Sequence, residues 1–126
     1  MSTSIAEFAE AYNKAWADHD PDAIVAMHTE DSVFHQHGLG DPAVGRPAVR
    51  EAIAAAFGMA PDLAFEIRRS HFAGDHFVME YEMRGTVGDK MASCEGVDVF
   101  TMRDGLVARK DTYIDTLSFA TQVGMI

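Results

Sequence analysis

Two histidines separated by one residue, His35 and His37, have a type and spacing suited to chemistry. On a β-strand their side chains would point to the same face, so both could reach one ligand. Imidazole gains and loses a proton near neutral pH, which makes the pair candidates for proton transfer in a pocket. The alternative is that both histidines are exposed residues at the end of a loop.

The same two histidines could also bind a metal ion, but the sequence shows no third and fourth ligand at a recognisable spacing. Asp41, on the loop that follows, is the one nearby possibility. Tetrahedral zinc normally takes at least three protein ligands. We therefore expect no metal site and no other cofactor.

An acidic residue on a predicted strand is the second candidate for chemistry. Asp98 lies on the strand predicted for residues 92–102 and shares a face with the apolar Phe100. Asp104-Gly105 is a strong hairpin signal, and it connects this strand to another predicted over residues 106–116. The type of turn decides which residue lies opposite Asp98.

Two turn types give Asp98 different neighbours. A type I turn with a glycine bulge, whose loop is residues 103–105, places Asp98 opposite Lys110, whereas a two-residue turn places it opposite Asp111. We favour the bulged turn because it pairs opposite charges in the interior. The resulting ion pair would be either structural or a polarised acid–base site. The inward face then carries Lys110 and Thr112 beside Asp98. The outward face carries Asp111, Tyr113 and Asp115.

Three helices are predicted in the first half of the chain. Ser4 and Glu7 form a capping box before apolar residues at helical spacing, which predicts a helix over residues 5–18. Asp20-Pro21 begins a short helix that ends near His28. Arg46-Pro47 opens the third helix, which Gly58 ends.

The second half of the chain has the alternating pattern of β-strands. After Pro61 the apolar period changes from 3.6 to 2, which predicts strands over residues 63–68 and 77–84 before the hairpin, in addition to a short strand over 32–37. Helices followed by a meander indicate an α+β domain with an antiparallel sheet. The face formed by Glu80, Glu82 and Arg84 is predicted to be solvated or to face a second subunit.

Composition limits the possible partners. The chain has 126 residues, which is one domain, and a formal net charge of −10, which opposes binding to nucleic acid or to an anionic membrane. Cys94 is the only cysteine, so no disulfide can form within the chain. The N-terminal residues do not resemble a signal peptide, and no apolar run is long enough to span a bilayer. We expect a cytoplasmic protein that binds a small molecule.

This order of elements resembles the nuclear transport factor 2-like superfamily, in its SnoaL-like branch, and the resemblance covers nearly the whole chain. The family implies a cystatin-like, cone-shaped fold in which a curved sheet wraps around three helices and encloses a cavity, often in a homodimer. The motifs that carry the resemblance are Tyr12-Asn13-Lys14-Ala15-Trp16, Asp20-Pro21-Asp22-Ala23-Ile24, Glu30-Asp31-Ser32-Val33-Phe34, Gly45-Arg46-Pro47-Ala48-Val49, Gly96-Val97-Asp98-Val99-Phe100, Arg103-Asp104-Gly105-Leu106-Val107 and Tyr113-Ile114-Asp115.

The resemblance implies roles for particular residues. In ketosteroid isomerases of the family, a neutral acid and a tyrosine together stabilise a dienolate, and their positions match Asp98 and Tyr12. Their general-base aspartate aligns near Gln36 or Gly38, neither of which can serve, so a neighbouring histidine would have to replace it. The pocket residues expected beside these are Trp16, Met79, Tyr81, Met83, Phe100, Lys110 and Thr112.

Epoxide hydrolases are a second branch of the same fold. Their pocket tyrosine and asparagine fall where His35 and His37 stand, which favours histidines that line the pocket. Their arginine and two aspartates fall on Tyr81, Met83 and Thr112, so that activity is not expected.

Two functions remain open at this point. The first is an acid–base isomerase, cyclase or dehydratase that acts on a small lipophilic carbonyl compound, with Tyr12 and Asp98 as donors and His35 or His37 moving the proton. The second is a ligand-binding or association domain of the same fold without chemistry. In either case we expect a homodimer formed through the outer face of the sheet. The apolar C-terminal residues 117–126 would cover the pocket or the partner subunit.

Overall fold

The structure, a computed structural model, describes residues 4–126 and confirms the α+β fold with a curved, unclosed sheet of six strands. Within these residues no helix is both long enough and apolar enough to cross a bilayer. In chain order the elements are α1 (Ile5–Ala17), α2 (Pro21–Val25), β1 (His28–Gln36), β2 (Ala43–Val44), α3 (Arg46–Met59), β3 (Ala64–Ala73), β4 (His76–Val87), β5 (Lys90–Arg103), β6 (Leu106–Ile114) and α4 (Thr116–Gln122).

The strands follow the order β2-β1-β6-β5-β4-β3 across the sheet. The meander β3–β6 is antiparallel as predicted, but β1 pairs with β6 in parallel. The expectation of an entirely antiparallel sheet was therefore wrong for this pair. A parallel pair needs a long connection, and here that connection contains β2, α3 and the strands β3, β4 and β5.

The β5–β6 hairpin has a register that neither predicted turn describes. Asp104 and Gly105 both have positive φ, at 55° and 77°, and form a two-residue turn with Arg103 opposite Leu106. Between the pairs Met102–Val107 and Thr101–Arg109 the register shifts by one residue, which leaves Ala108 as a β-bulge.

The bulge decides which side chains of β6 face inward. Asp98 lies opposite Thr112 rather than opposite Lys110 or Asp111, so both predicted registers were wrong. The predicted faces are correct nevertheless. The shift of one residue after the two-residue turn returns Lys110 to the face that carries Asp98, where both are buried.

The core lies between the helices and the concave face of the sheet. Ser4 caps α1 by accepting a hydrogen bond from the Glu7 N–H, and the apolar stripe of this helix packs inward. The Tyr12 ring packs edge-on against Phe100 at 5.3 Å, and Phe100 stacks on Phe77 at 4.2 Å. These three aromatic rings are fully buried and form the apolar core next to the polar groups of the interior.

The C-terminal segment forms a helix that the sequence analysis missed. Strand β6 ends at Ile114 because the Asp115 side chain accepts a hydrogen bond from the Ser118 N–H and so caps α4. The Gln122 side chain bonds to the backbone of Ser93, which fastens α4 to β5.

Candidate functional site

A cavity of about 50 Å³ lies between α1 and the concave face of the sheet. A buried water needs on the order of 10–15 Å³, so the space suits a few waters or a small organic group. Six predicted pocket residues line it, namely Tyr12, Trp16, Met79, Tyr81, Asp98 and Lys110, together with Asn13, Phe65 and Ile67, which were not predicted. Phe100 and Met83 are buried in the adjacent core, and Thr112 reaches the site through Asp98.

Asp98 is the centre of a polar network in this otherwise apolar space. Its Oδ1 accepts hydrogen bonds from the Tyr81 hydroxyl at 2.9 Å and from Thr112 Oγ1 at 2.7 Å. Its Oδ2 lies 3.6 Å from Lys110 Nζ. Both hydroxyls donate to Asp98, so it is an acceptor in this structure, whereas the resemblance implied a neutral donor.

Gly96 makes room for the Tyr81 side chain. The two residues are partners in the β4–β5 ladder, and a Cβ on Gly96 would lie 2.7 Å from the Tyr81 ring and 2.8 Å from Ile114 Cγ2. Only glycine leaves the Tyr81 ring free to lie across β5 and reach Asp98. Burial and the negative charge of Asp98 both raise the pKa of Tyr81, so its hydroxyl stays protonated.

Lys110 lies within a cage of aromatic rings. Its Nζ is 4.0 Å from the centre of the Trp16 ring and 4.9 Å from that of Phe34, with Tyr12 and Phe100 next at 5.4 and 5.5 Å. The rings stabilise the ammonium through cation–π contacts. Burial nevertheless lowers the pKa of Lys110, and the Asp98 carboxylate offsets part of this effect. A lysine in such surroundings loses its proton more readily than one in water.

The sequence analysis missed His28, which it placed at the end of a helix. His28 begins β1, is fully buried, and lies with its Nε2 2.8 Å from the Tyr12 hydroxyl. Burial, assisted by the charges of Lys110 and Arg46, lowers its pKa to about 3. The imidazole is therefore neutral at physiological pH. No spacing in the sequence relates it to Tyr12, because the contact joins a helix to a strand.

The tautomer of His28 affects what Tyr12 can do. Within residues 4–126, His28 Nδ1 has no hydrogen-bond partner. An unpaired lone pair is tolerated better than an unpaired buried N–H, which favours the proton on Nε2. Nε2 then donates to the Tyr12 oxygen, and the Tyr12 hydroxyl keeps its own proton for another acceptor. Trp16 Nε1–H is, after the Tyr12 hydroxyl, a second buried donor with a proton available. The described part of the chain provides no acceptor for it.

His35 and His37 lie on the opposite face of the sheet from the cavity. In the parallel β1–β6 pair, Phe34 is opposite the inward Lys110, so His35 is opposite the outward Asp111. The expectation that these histidines line the pocket with Asp98 is not met, because neighbouring positions of β1 alternate between faces. They do share one face as predicted, with ring centres 3.7 Å apart.

The Asp111 carboxylate joins this outer cluster. Its Oδ1 lies 2.8 Å from His37 Nε2, and both of its oxygens accept hydrogen bonds from the Arg109 guanidinium. Burial alone would raise the pKa of Asp111, but the contacts with Arg109 and His37 outweigh it and lower the pKa. Tyr113 stacks on the His37 ring at 4.1 Å.

Comparison with known proteins decides the family. A sequence profile of the SnoaL-like domain matches residues 9–110. The chain belongs to the SnoaL-like family. This confirms the resemblance drawn from the motifs, including its place in the nuclear transport factor 2-like superfamily. Among curated proteins, none matches the chain significantly in sequence.

Solved structures of low sequence identity share the fold of this SnoaL-like protein. A hypothetical protein with a ketosteroid isomerase-like fold from Catenulispora acidiphila DSM 44928, in complex with trimethylamine, has a TM-score of 0.87 at 20% identity, over 96% of this chain and 95% of that one. TerC, co-crystallised with polyporic acid, has a TM-score of 0.80 at 22% identity, over 94% and 97%. A candidate SnoaL-like polyketide cyclase from Jannaschia sp. CCS1 has a TM-score of 0.83 at 17% identity, over 100% of this chain and 99% of that one.

Proposed function

We propose that this SnoaL-like protein binds a small lipophilic carbonyl compound and catalyses a proton transfer on it without a cofactor, as an isomerase, cyclase or dehydratase. The observation that carries the proposal is the meeting of Lys110, Asp98 and Tyr12 at one small cavity that is otherwise largely apolar. Structural neighbours that bind small molecules or are candidate cyclases support a ligand of this kind.

Lys110 is the proposed base. A neutral amine in the cavity accepts a proton from the carbon next to the carbonyl group, and the Asp98 carboxylate, with its nearer oxygen 3.6 Å away, stabilises the ammonium that forms. Lys110 takes the role first assigned to His35 or His37, because those side chains lie on the other face of the sheet. Asp98 assists the base instead of donating to the oxyanion.

Two donors are available for the negative charge that develops on the carbonyl oxygen. Tyr12 keeps a free hydroxyl proton in the favoured tautomer of His28, and Trp16 Nε1–H has no acceptor within the described residues. Burial raises the pKa of Tyr12, so the hydroxyl stays protonated and donates without ionising. Donors held in a dry site stabilise an oxyanion more strongly than water does.

The second candidate function is binding without chemistry. Asp98 already has three partners in this structure, so the network is complete before a ligand arrives. Such a network can have a purely structural role, in which it holds β5 and β6 in register. Trimethylamine in the neighbour from Catenulispora is an amine, but in this chain the Lys110 ammonium already lies among the aromatic rings. A neutral ligand with an acceptor oxygen fits better than a cation.

Proton exchange separates the two functions. Small cyclic enones and 1,3-diketones would be incubated with the protein in D₂O, and loss of the NMR signals of the protons next to the carbonyl would be followed. Wild type should accelerate exchange, Lys110→Met should abolish the acceleration, and the exposed Lys90→Met should retain it. Saturable binding without any exchange would support the second function. Equal exchange by Lys110→Met and wild type would exclude Lys110 as the base.

A further inference from the structure

We propose that His35, His37 and Asp111 form a zinc-binding site on the outer face of the sheet, independent of the cavity. One ligand atom from each of the three side chains lies within 4.8 Å of the other two. Two imidazoles and a carboxylate are a donor set that suits Zn²⁺. Three protein ligands leave the fourth tetrahedral position to a water molecule.

The parallel pairing of β1 with β6 brings the third ligand to the histidines. His35 is opposite Asp111 in the ladder, although Asp111 follows His37 by 74 residues in the sequence. Spacing along the chain could not reveal this ligand. The backbone that positions all three side chains consists of regular strand pairing and a hydrogen bond from the His37 N–H to the Thr112 carbonyl at 2.9 Å. A site on paired strands is more rigid than one on a loop.

One pair of ligand atoms is already close enough for zinc, and the three must draw together from a spread of up to 4.8 Å. At zinc–ligand distances of about 2.0–2.1 Å, two ligands of a tetrahedral ion are about 3.3 Å apart. His37 Nε2 and Asp111 Oδ1 are already 2.8 Å apart. Tyr113 stacks on His37 with an angle of 9° between the ring planes, which restrains the imidazole. His37 and Asp111 are 28% and 15% exposed in their side chains, so an ion could enter from solvent.

Arg109 is the main opposing group. Its guanidinium donates to both Asp111 oxygens, at 2.8 Å to Oδ2 and 3.0 Å to Oδ1. It orients the carboxylate, but its positive charge near the ion weakens binding. We therefore expect Arg109→Gln to bind zinc more tightly than wild type.

The chain offers a matched control for the histidines. On β3, His71 and Arg69 both contact Glu80, at 2.7 and 2.6 Å, which repeats the arrangement of His37 and Arg109 on Asp111 without a second histidine. His71→Gln removes the same kind of side chain from the same kind of contact. It should leave zinc binding unchanged.

The experiment is calorimetric titration of the full chain, without a His tag, with ZnCl₂. Wild type should bind one equivalent, His35→Gln and His37→Gln should each weaken binding by about tenfold or more, and Arg109→Gln should strengthen it. Co²⁺ in place of Zn²⁺ should give the visible absorption of a four-coordinate ion, lost in Asp111→Asn. Circular dichroism would confirm that each variant is folded, and two separate histidine variants guard against misfolding of one.

Three results would overturn the proposal: no zinc binding by wild type, equal affinity in His37→Gln and His71→Gln, or weaker binding by folded Arg109→Gln. Because these residues lie outside the cavity, failure here leaves the function proposed for Lys110 untouched.

Discussion

The Lys110 ammonium lies 4.0 Å from the centre of the Trp16 ring. Lys110 belongs to β6 and Trp16 to α1, so this contact joins the concave face of the sheet to the helix that packs against it. The ammonium is therefore in contact with aromatic rings as well as with the Asp98 carboxylate.

Removing one partner of the buried pair should be costly. Lys110→Met leaves the Asp98 carboxylate buried with two hydroxyl donors and no cation, and should lower the free energy of unfolding by about 3 kcal/mol. Urea denaturation at pH 7 measures this. The exposed Arg50–Asp22 pair is the control, since Arg50→Met should leave stability unchanged within error. An equally small effect of Lys110→Met would show that the pair is not buried as described.

The neutral, buried His28 should make stability depend on pH. Its pKa is lowered from 6.5 to about 3 in the folded protein, so the unfolded state binds a proton that the folded state does not. The contribution of His28 to the free energy of unfolding is therefore fully present above pH 6.5. It is lost as the pH falls from 6.5 towards 3. At pH 5.5 the loss should be about 1.4 kcal/mol.

His28→Gln removes the titrating group and provides the comparison. Stability of wild type and of the variant would be measured by urea denaturation at pH 7.5 and pH 5.5. The difference in the free energy of unfolding between wild type and His28→Gln should be smaller at pH 5.5 than at pH 7.5, because only wild type loses the contribution of His28. A constant difference would mean that His28 titrates in the folded protein as it does in the unfolded chain.

The proposed base predicts a pH profile for catalysis. Exchange should increase with pH as Lys110 loses its proton, with a midpoint below the ordinary lysine value of 10.5. Asp98 raises the pKa of Lys110, so Asp98→Asn should move the midpoint to lower pH. The rate constant would be measured from pH 6 to 10 for both proteins. A shift to higher pH in Asp98→Asn would contradict the assignment.

Gly96 should not tolerate a side chain. In Gly96→Ala the new Cβ would collide with the Tyr81 ring, displace the Tyr81 hydroxyl from Asp98 and reduce stability by about 1–3 kcal/mol. Gly74→Ala is the control, because a Cβ there meets no atom within 4 Å. Thermal melting of both variants tests the prediction, and equal melting temperatures would contradict it.

The homodimer remains a prediction. The outer face of β3 and β4 carries a ladder of ion pairs, in which Arg68 contacts Glu82 at 2.8 Å and Arg84 contacts Glu66. Sedimentation at micromolar concentration should give about twice the chain mass of 13.8 kDa. Association through this charged face should weaken at high salt. A monomer at low salt would contradict the prediction.

Most of the fold could be predicted from local patterns, because the change of apolar period and the helix caps are local signals. The inward position of Lys110 was predicted correctly but from a register that the structure does not have, because the bulge restores the face that the two-residue turn alone would have exchanged. The bulge at Ala108 was not, because no residue type marks it. His28 and Asp111 were missed as site residues for a different reason: each acquires its partner only when distant segments pair, and a single sequence contains no signal for that pairing.

The extra residue in β6 has a consequence for how the chain can vary in length. Ala108 sets the parity of the strand, so that Lys110 points into the cavity and Asp111 points to the histidines. Because Ala108 is the residue that the ladder leaves unpaired, its deletion would let Arg109 follow Val107 in regular alternation, with Thr101 still opposite Arg109 and both faces of the strand kept. The hairpin can therefore lose this one residue without disturbing either site, whereas a shift of one residue that the bulge does not absorb would exchange the faces and disrupt both sites at once.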